Sequence, residues 1–185
     1  MTGLPIQPID EELQTLQREV QRMLGRCLLR LQQYEQLMKA IVAHHEISAS
    51  GSPLESNQAE RIADAANKTL GTLVGTLLGT YVTSGEQDEV AEPDAPDNII
   101  SFKMKMSLRM SAEDFDTTQN DLKELVLLRN NLVHHFIDQH DLWSLDGCRG
   151  AQESLVAAYS RVDQHFEQLR GWAEHMDQAR QLAVE

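Results

Sequence analysis

An arginine, two asparagines and two histidines lie within residues 129–135, in a segment that otherwise has the pattern of a buried helix. At about 100° per residue, Arg129 falls near the middle of a broad apolar arc. A buried arginine needs an anion or another partner, because an unpaired buried charge is very costly. Asn130 and His134 are four residues apart, so they can face one cleft, whereas His135 points away from both. The apolar arc is formed by Leu122, Leu125, Val126, Leu128, Leu132, Val133, Phe136 and Ile137.

These side-chain types can cleave RNA without a metal ion, because the ribose 2′-hydroxyl can serve as an internal nucleophile. Imidazole titrates near neutrality, so His134 could take the 2′-hydroxyl proton or give a proton to the leaving oxygen. Arg129 would stabilise the additional negative charge of the phosphorane. Asn130 could hold the histidine or the phosphate in place. This chemistry requires neither a metal nor a cofactor, and we predict none.

The stretch Arg129-Asn130-Asn131-Leu132-Val133-His134 resembles the signature of the HEPN superfamily, an arginine and a polar residue followed at the sixth position by a histidine. The resemblance extends to the Thr69–Gly71 segment and implies a helical core over about residues 10–180. It also implies a metal-independent endoribonuclease that acts as a homodimer, with Arg129 and His134 of both subunits facing one cleft. His135 fits a looser version of the motif spacing and is the second choice for the catalytic histidine.

Proteins similar to this are often prokaryotic toxins or abortive-infection effectors in phage defence, which implies an antitoxin or another regulatory protein as a possible partner. In one branch of the superfamily, a tyrosine two residues after the histidine is modified by a partner nucleotidyltransferase. That position is Phe136 here, so we do not expect this form of control.

The alternative interpretation is a non-catalytic helical module that dimerises and binds another protein. Arg129 would then pair with an Asp or Glu of a neighbouring helix, and the histidines would make ordinary polar contacts. A buried salt bridge at Arg129, with His134 unable to reach solvent, would favour this alternative.

The formal net charge of −13 at pH 7 argues against a protein that coats nucleic acid with its whole surface, because such binding depends on neutralising phosphates. An RNA site must therefore be a local cationic cleft. Dimer symmetry would double Arg129 in such a cleft. The other candidate RNA-binding cations are Lys103, Lys105, Arg109 and Lys123.

Composition predicts a mostly α class, since aromatic residues make up only 5% of the chain and this balance suits stacked helices. Cys27 and Cys148 belong to no motif and indicate reduced thiols. No apolar run approaches the roughly 20 residues needed to cross a bilayer, so we expect a soluble cytoplasmic protein without membrane partners. His44 and His45 are expected to interact with a helix end rather than a metal.

Helical spacing predicts four main helices. The first starts at a capping Asp10 and runs for about 35 residues, and the second starts near Leu54 or Glu55, with a possible break near Gly71. The third starts at Ser111 and ends around Gln139. After a loop with Trp143 and Gly147, the last runs over about residues 150–183. Its predicted buried stripe is Leu155, Val156, Tyr159, Val162, Phe166, Leu169, Trp172, Ala173 and Met176.

Between the second and third of these helices, residues 100–110 alternate strictly between apolar and polar, the period of a half-buried strand. We expect this strand to pair with residues 80–83 in a hairpin over the acidic loop of residues 85–97, or with the same strand of another subunit. Gly71, Gly75 and Gly79 recur every four residues, which indicates close helix packing. The predicted fold is one domain over residues 1–185, a four-helix-bundle-like HEPN-type domain with a small inserted β-hairpin at about residues 80–110.

Overall fold

A computed structural model describes residues 8–50, 54–85 and 101–184. The described chain is mostly helical, which confirms the predicted class. A short π-helical turn, Asn131–His135, joins α4 to α5. The helices are α1 (Pro8–His44), α2 (Leu54–Ala66), α3 (Leu70–Thr80), α4 (Ala112–Asn130), α5 (Phe136–Gln139) and α6 (Leu145–Val184), and the strands are β1 (Glu46–Ser50), β2 (Val82–Ser84), β3 (Ser101–Lys105) and β4 (Leu108–Met110).

The helix starts follow local capping chemistry. α1 begins at Pro8, two residues before the predicted cap, because proline lacks the N–H that a first helical turn leaves unpaired. Thr69 caps α3, so the predicted second helix is interrupted just before Gly71 and divided into α2 and α3. Ser111 caps α4, since its Oγ accepts a 3.1 Å hydrogen bond from the Asp114 N–H and donates to the Asp114 carboxylate at 2.7 Å. α6 begins at Leu145, five residues earlier than predicted.

The predicted β-hairpin is wrong. The alternating segment is divided into β3, which pairs antiparallel with β1, and β4, which pairs with β2 in parallel. The division falls at Met106 and Leu108, whose N–H groups donate to the carbonyls of His45 and Tyr81 at 2.8 and 2.6 Å. A parallel pair cannot be closed by a tight turn, so β2 and β4 are not a hairpin. Apart from Gly85, the predicted acidic loop lies outside the described residues.

The chain divides into two compact units, one formed by Met1–Tyr34 with Leu127–Glu167 and the other by Glu35–Val126 with Gln168–Glu185. Both units are discontinuous in sequence, and α1, α4 and α6 each contribute to both. The prediction of a single domain therefore stays a prediction.

In the first unit, α1 and α6 run parallel. Arg149 contacts Glu12 at 2.9 Å, the Cys27 thiol contacts the Leu155 carbonyl at 3.5 Å, and residue numbers rise together along both helices. Their buried positions recur at alternating intervals of three and four, the spacing of coiled-coil packing. On α6 the residues of this stripe in the first unit are Cys148, Ala151, Leu155, Ala158, Val162 and His165, and the same spacing continues in the second unit with Leu169, Trp172 and Met176. It includes His165, which was not predicted, and it leaves the predicted Val156 exposed.

In the second unit, α3 is buried on one side only. Leu73 and Leu77 are fully buried, as are Met38 and Ile41 of α1 and Leu122 and Leu125 of α4. Within the described ranges, the predicted close packing at the glycines is not present, because a Cβ at Gly75 or Gly79 would meet no described atom within 4 Å. A Cβ at Gly71 would meet only Val126, at an ordinary 3.8 Å.

Cys27 and Cys148 are buried free thiols. None of the helices in the described ranges combines the length and the apolar character needed to span a bilayer.

Candidate functional site

The Arg129 to His135 segment lies on one helical run that changes its winding. α4 keeps α-helical winding to Asn130, the five residues Asn131–His135 form the π-helical turn, and α-helical winding resumes at Phe136. In an α-helix, residues five apart are separated by about 140°. A π turn forms i→i+5 hydrogen bonds, so it brings residue i+5 close above residue i. Winding of this kind is frequent at functional sites.

This winding brings Arg129, Asn130 and His134 together. One guanidinium nitrogen, Nη1 of Arg129, donates to Asn130 Oδ1 at 3.2 Å and lies 3.3 Å from His134 Nε2. We call these three residues the motif cluster. The sequence predicted that Asn130 and His134 share a cleft, and in the structure Arg129 bridges them.

Arg129 is half-buried and makes no ion pair with any Asp or Glu in the described part of the chain. It occupies a regular core position, since it continues the series Thr118, Leu122, Leu125 and is followed by Leu132 and Phe136. A buried salt bridge here would have favoured the alternative interpretation. Instead, within the described residues, the side-chain hydrogen-bonding partners of this cation are Asn130 and His134.

His134 is exposed, so its ring can reach solvent and a ligand. His135 is also exposed, and its ring lies 6.3 Å from that of His134 in an edge-to-face arrangement. Among the described residues, His135 makes no hydrogen bond with Arg129. The geometry therefore separates the two histidines and couples only His134 to the arginine.

Large apolar side chains are exposed before, within and after the motif segment in the sequence. The exposed fractions are 61% for Leu127, 44% for Val133, 75% for Ile137 and 84% for Trp143. Val133 and Ile137 were predicted on the buried arc, and that prediction is wrong because the π turn shifts the helical register. Leu132 and Phe136 are buried as predicted.

Trp143 was not predicted as a functional residue, although a tryptophan in a short loop is itself a signal. Hydrogen bonds hold its loop in place. The Asp141 carboxylate accepts a 3.1 Å bond from the Trp143 N–H, and the Leu142 carbonyl accepts from Gln17 at 2.9 Å and from the Cys148 thiol at 3.3 Å. Tryptophan is enriched among the residues that contribute most to protein interfaces, so Trp143 is a candidate contact residue.

The predicted RNA-binding cations do not join the motif cluster in one unit. Lys105, Arg109 and Lys123 are exposed members of the second unit, and the motif cluster belongs to the first. Lys123 donates to Gln119 at 2.9 Å. The side chain of Lys103 lies outside the described residues. The composite cationic cleft therefore stays a prediction.

A groove of about 230 Å³ lies elsewhere, between α1 and α2 of the second unit. It is lined by alanines such as Ala40 and Ala65 and by the side chains of Lys39 and His44. It contains no residue of the motif cluster. Within residues 8–50, 54–85 and 101–184, no three His, Cys, Asp or Glu side chains are grouped to hold a metal ion.

Comparison of this chain with protein-family models, with curated proteins and with solved structures finds no match in any of the three.

Proposed function

We propose that this chain is a metal-independent endoribonuclease of the HEPN type, which cleaves RNA by attack of a ribose 2′-hydroxyl on the adjacent phosphate. One observation carries the proposal. Arg129 is a half-buried cation without a carboxylate partner among the described residues, and it touches an exposed histidine and an asparagine. A guanidinium whose own fold gives it no anion is suited to bind one from a ligand.

The proposed reaction uses His134 and Arg129 in distinct roles. Nε2 of His134 takes the proton of the 2′-hydroxyl, and the 2′-oxygen forms a bond to phosphorus while the bond to the 5′-oxygen breaks. The leaving 5′-oxygen receives a proton from a second, protonated imidazole, that of His134 in a second subunit, which becomes neutral. Arg129 stabilises the charge on the non-bridging oxygens. The products are a 2′,3′-cyclic phosphate and a 5′-hydroxyl.

The second histidine requires a homodimer, and the exposed apolar side chains support one. Leu127, Val133 and Ile137 are exposed on the same helical run as Arg129 and His134. Exposed apolar groups close to a reactive site favour association, because their burial stabilises an interface. A dimer through this face would bring two motif clusters together. The fold proposed for each chain is the four-helix-bundle-like HEPN-type domain that the resemblance implies.

We further propose that the protein acts as a toxin or phage-defence effector whose activity an antitoxin or another regulatory protein controls. This role is inferred from the resemblance in the motif. The RNA would approach a chain of net charge −13, so the positive potential must be concentrated at the cleft. Arg129 from each subunit would supply it.

The proposal is tested with two site variants and one matched control. Arg129→Ala and His134→Ala should each abolish RNA cleavage while the far-ultraviolet circular dichroism stays unchanged. His175→Ala removes an exposed histidine of α6 and should cleave like the wild type. Full activity in His134→Ala would refute the assignment, and loss of activity in His135→Ala alone would transfer the role to His135. Stable dimers that cleave no RNA would favour the alternative function as a protein-interaction module.

A further inference from the structure

The hydrogen bonds of the motif cluster determine which of its atoms accept and which donate. A guanidinium has only N–H donors and keeps its charge at any physiological pH. Because Nη1 of Arg129 lies 3.3 Å from Nε2 of His134, Nε2 must be the acceptor. The imidazole in this arrangement is therefore neutral, with its proton on Nδ1. The lone pair that the proposed reaction needs as its base is occupied by Arg129.

Asn130 completes this arrangement. Its Oδ1 accepts from the same Nη1 at 3.2 Å, so both side-chain acceptors of the cluster are engaged by one nitrogen. The remaining groups are all donors, namely Nε and Nη2 of Arg129, Nδ2 of Asn130 and Nδ1 of His134. Among the described residues, none of these nitrogens is a buried atom without a partner. The cluster therefore has several N–H donors that no other described group engages, and N–H donors suit the binding of an oxyanion.

We infer that Arg129 masks the general base and that a tetrahedral oxyanion, the phosphodiester of the RNA substrate, unmasks it. A hydrogen bond between two charged groups is stronger than one between a guanidinium and a neutral imidazole. The phosphate binds the available Nε and Nη2 donors, and one of its oxygens then competes with Nε2 of His134 for Nη1 and displaces it. Nε2 becomes available at the moment when the scissile phosphate is in place, and Asn130 keeps the guanidinium within reach. This inference rests on the proposed function, since it concerns the control of the same site.

The π-helical turn explains why the mask exists. In a regular α-helix, the side chains at positions 129 and 134 would diverge, and the guanidinium would not reach Nε2. The i→i+5 winding of Asn131–His135 places them one above the other. Arg129 is half-buried and His134 is exposed, so a ligand can displace their contact without unfolding the helix.

The test measures how fast diethyl pyrocarbonate modifies each histidine, because this reagent attacks the unprotonated imidazole nitrogen. His135 is the internal comparison, since it is exposed and adjacent. At mildly alkaline pH, mass spectrometry of the wild-type protein should show His134 reacting about five- to tenfold more slowly than His135, the effect of one hydrogen bond. Inorganic sulfate should raise the His134 rate towards that of His135, whereas chloride at equal ionic strength should not.

Arg129→Leu gives the second arm of the experiment. Without the guanidinium, His134 should react quickly in the absence of sulfate and should not respond to its addition. Should this variant lose its helical content, the sulfate response of the wild type decides alone. Equal reactivity of the two histidines in the wild type, or protection of His134 by sulfate, would overturn the inference.

Masking and RNA cleavage are measured separately. If RNA is cleaved but sulfate fails to accelerate labelling of His134, the masking inference fails and the proposed function stands. If sulfate accelerates labelling but no RNA is cleaved, the cluster is an oxyanion site and the endoribonuclease proposal fails.

Discussion

Lowering the pH should destabilise the second unit through His45. This side chain is only 5% exposed. Its Nδ1 lies 2.9 Å from the Val42 carbonyl and, among the residues that the structure describes, its Nε2 has no hydrogen-bond partner, so the ring is held as the neutral tautomer with its proton on Nδ1. Protonation would place an unpaired N–H and a positive charge in a buried site whose nearest ring, that of Tyr81, lies 6.3 Å away edge-on.

Burial lowers the pKa of His45 below its ordinary value of 6.5, and the charges of Arg61 and Lys105 act in the same direction. The Val42 carbonyl and Glu46 oppose this shift without cancelling it. The unfolded chain therefore binds a proton that the folded chain does not. Stability is fully present above pH 6.5 and is lost as the pH falls towards the lower, folded pKa. One proton gives a slope of at most about 1.4 kcal/mol per pH unit.

The assay is urea unfolding followed by circular dichroism at a series of pH values. His45→Asn keeps a donor near the Val42 carbonyl but cannot titrate, so its free energy of unfolding should depend less on pH than that of the wild type below pH 6.5. The pKa of His44 is also lowered, first by burial, and its contribution is the same in both proteins. His175→Asn, at an exposed site, is the matched control. Equal pH dependence in wild type and His45→Asn would refute the argument.

Four further outcomes follow from the packing. Gly75→Ala should raise the free energy of unfolding by up to about 1 kcal/mol, because the new methyl group meets no described neighbour. Gly147→Ala should lower the free energy of unfolding, because its Cβ would overlap the Asp141 carbonyl. Urea unfolding measures both changes. Ile137→Asp should weaken dimerisation in analytical ultracentrifugation and reduce cleavage with it, because a charge replaces an exposed apolar side chain; an unchanged dimer would exclude this face. Arg30→Met should cost about 1 kcal/mol, because Arg30 pairs with Asp163 and lies 4.0 Å over the Phe166 ring; no change in urea unfolding would show that the partly exposed pair contributes nothing.

The long helices could be predicted because their information is local. The apolar spacing of α1 predicts about 35 residues, and the helix has 37. Ser111 and Asp114 supply the start of α4 within one turn. Residues 80–83 were predicted to pair with the alternating segment, and β2 does pair with β4, although in parallel. The pairing of β3 with β1 could not be predicted, because alternation indicates a strand but carries no information about which distant segment pairs with it.

At the candidate site, the residue types were predictable and their contact was not. A spacing of 100° per residue places Arg129 and His134 on different sides of a helix, and the π turn that joins them has no sequence signature that we could read. The buried His165 could have been found from the three-four spacing of α6, in which it falls between Val162 and Leu169. Trp143 could have been singled out as a large aromatic residue in a loop.

The most direct test of the central proposal is to incubate the purified protein with a labelled pool of single-stranded RNA of random sequence in excess EDTA, beside His134→Ala. The account predicts cleavage by the wild type alone, leaving 2′,3′-cyclic phosphate and 5′-hydroxyl ends. Ends carrying a 3′-hydroxyl, equal cleavage by His134→Ala, or an intact pool with both proteins would contradict it.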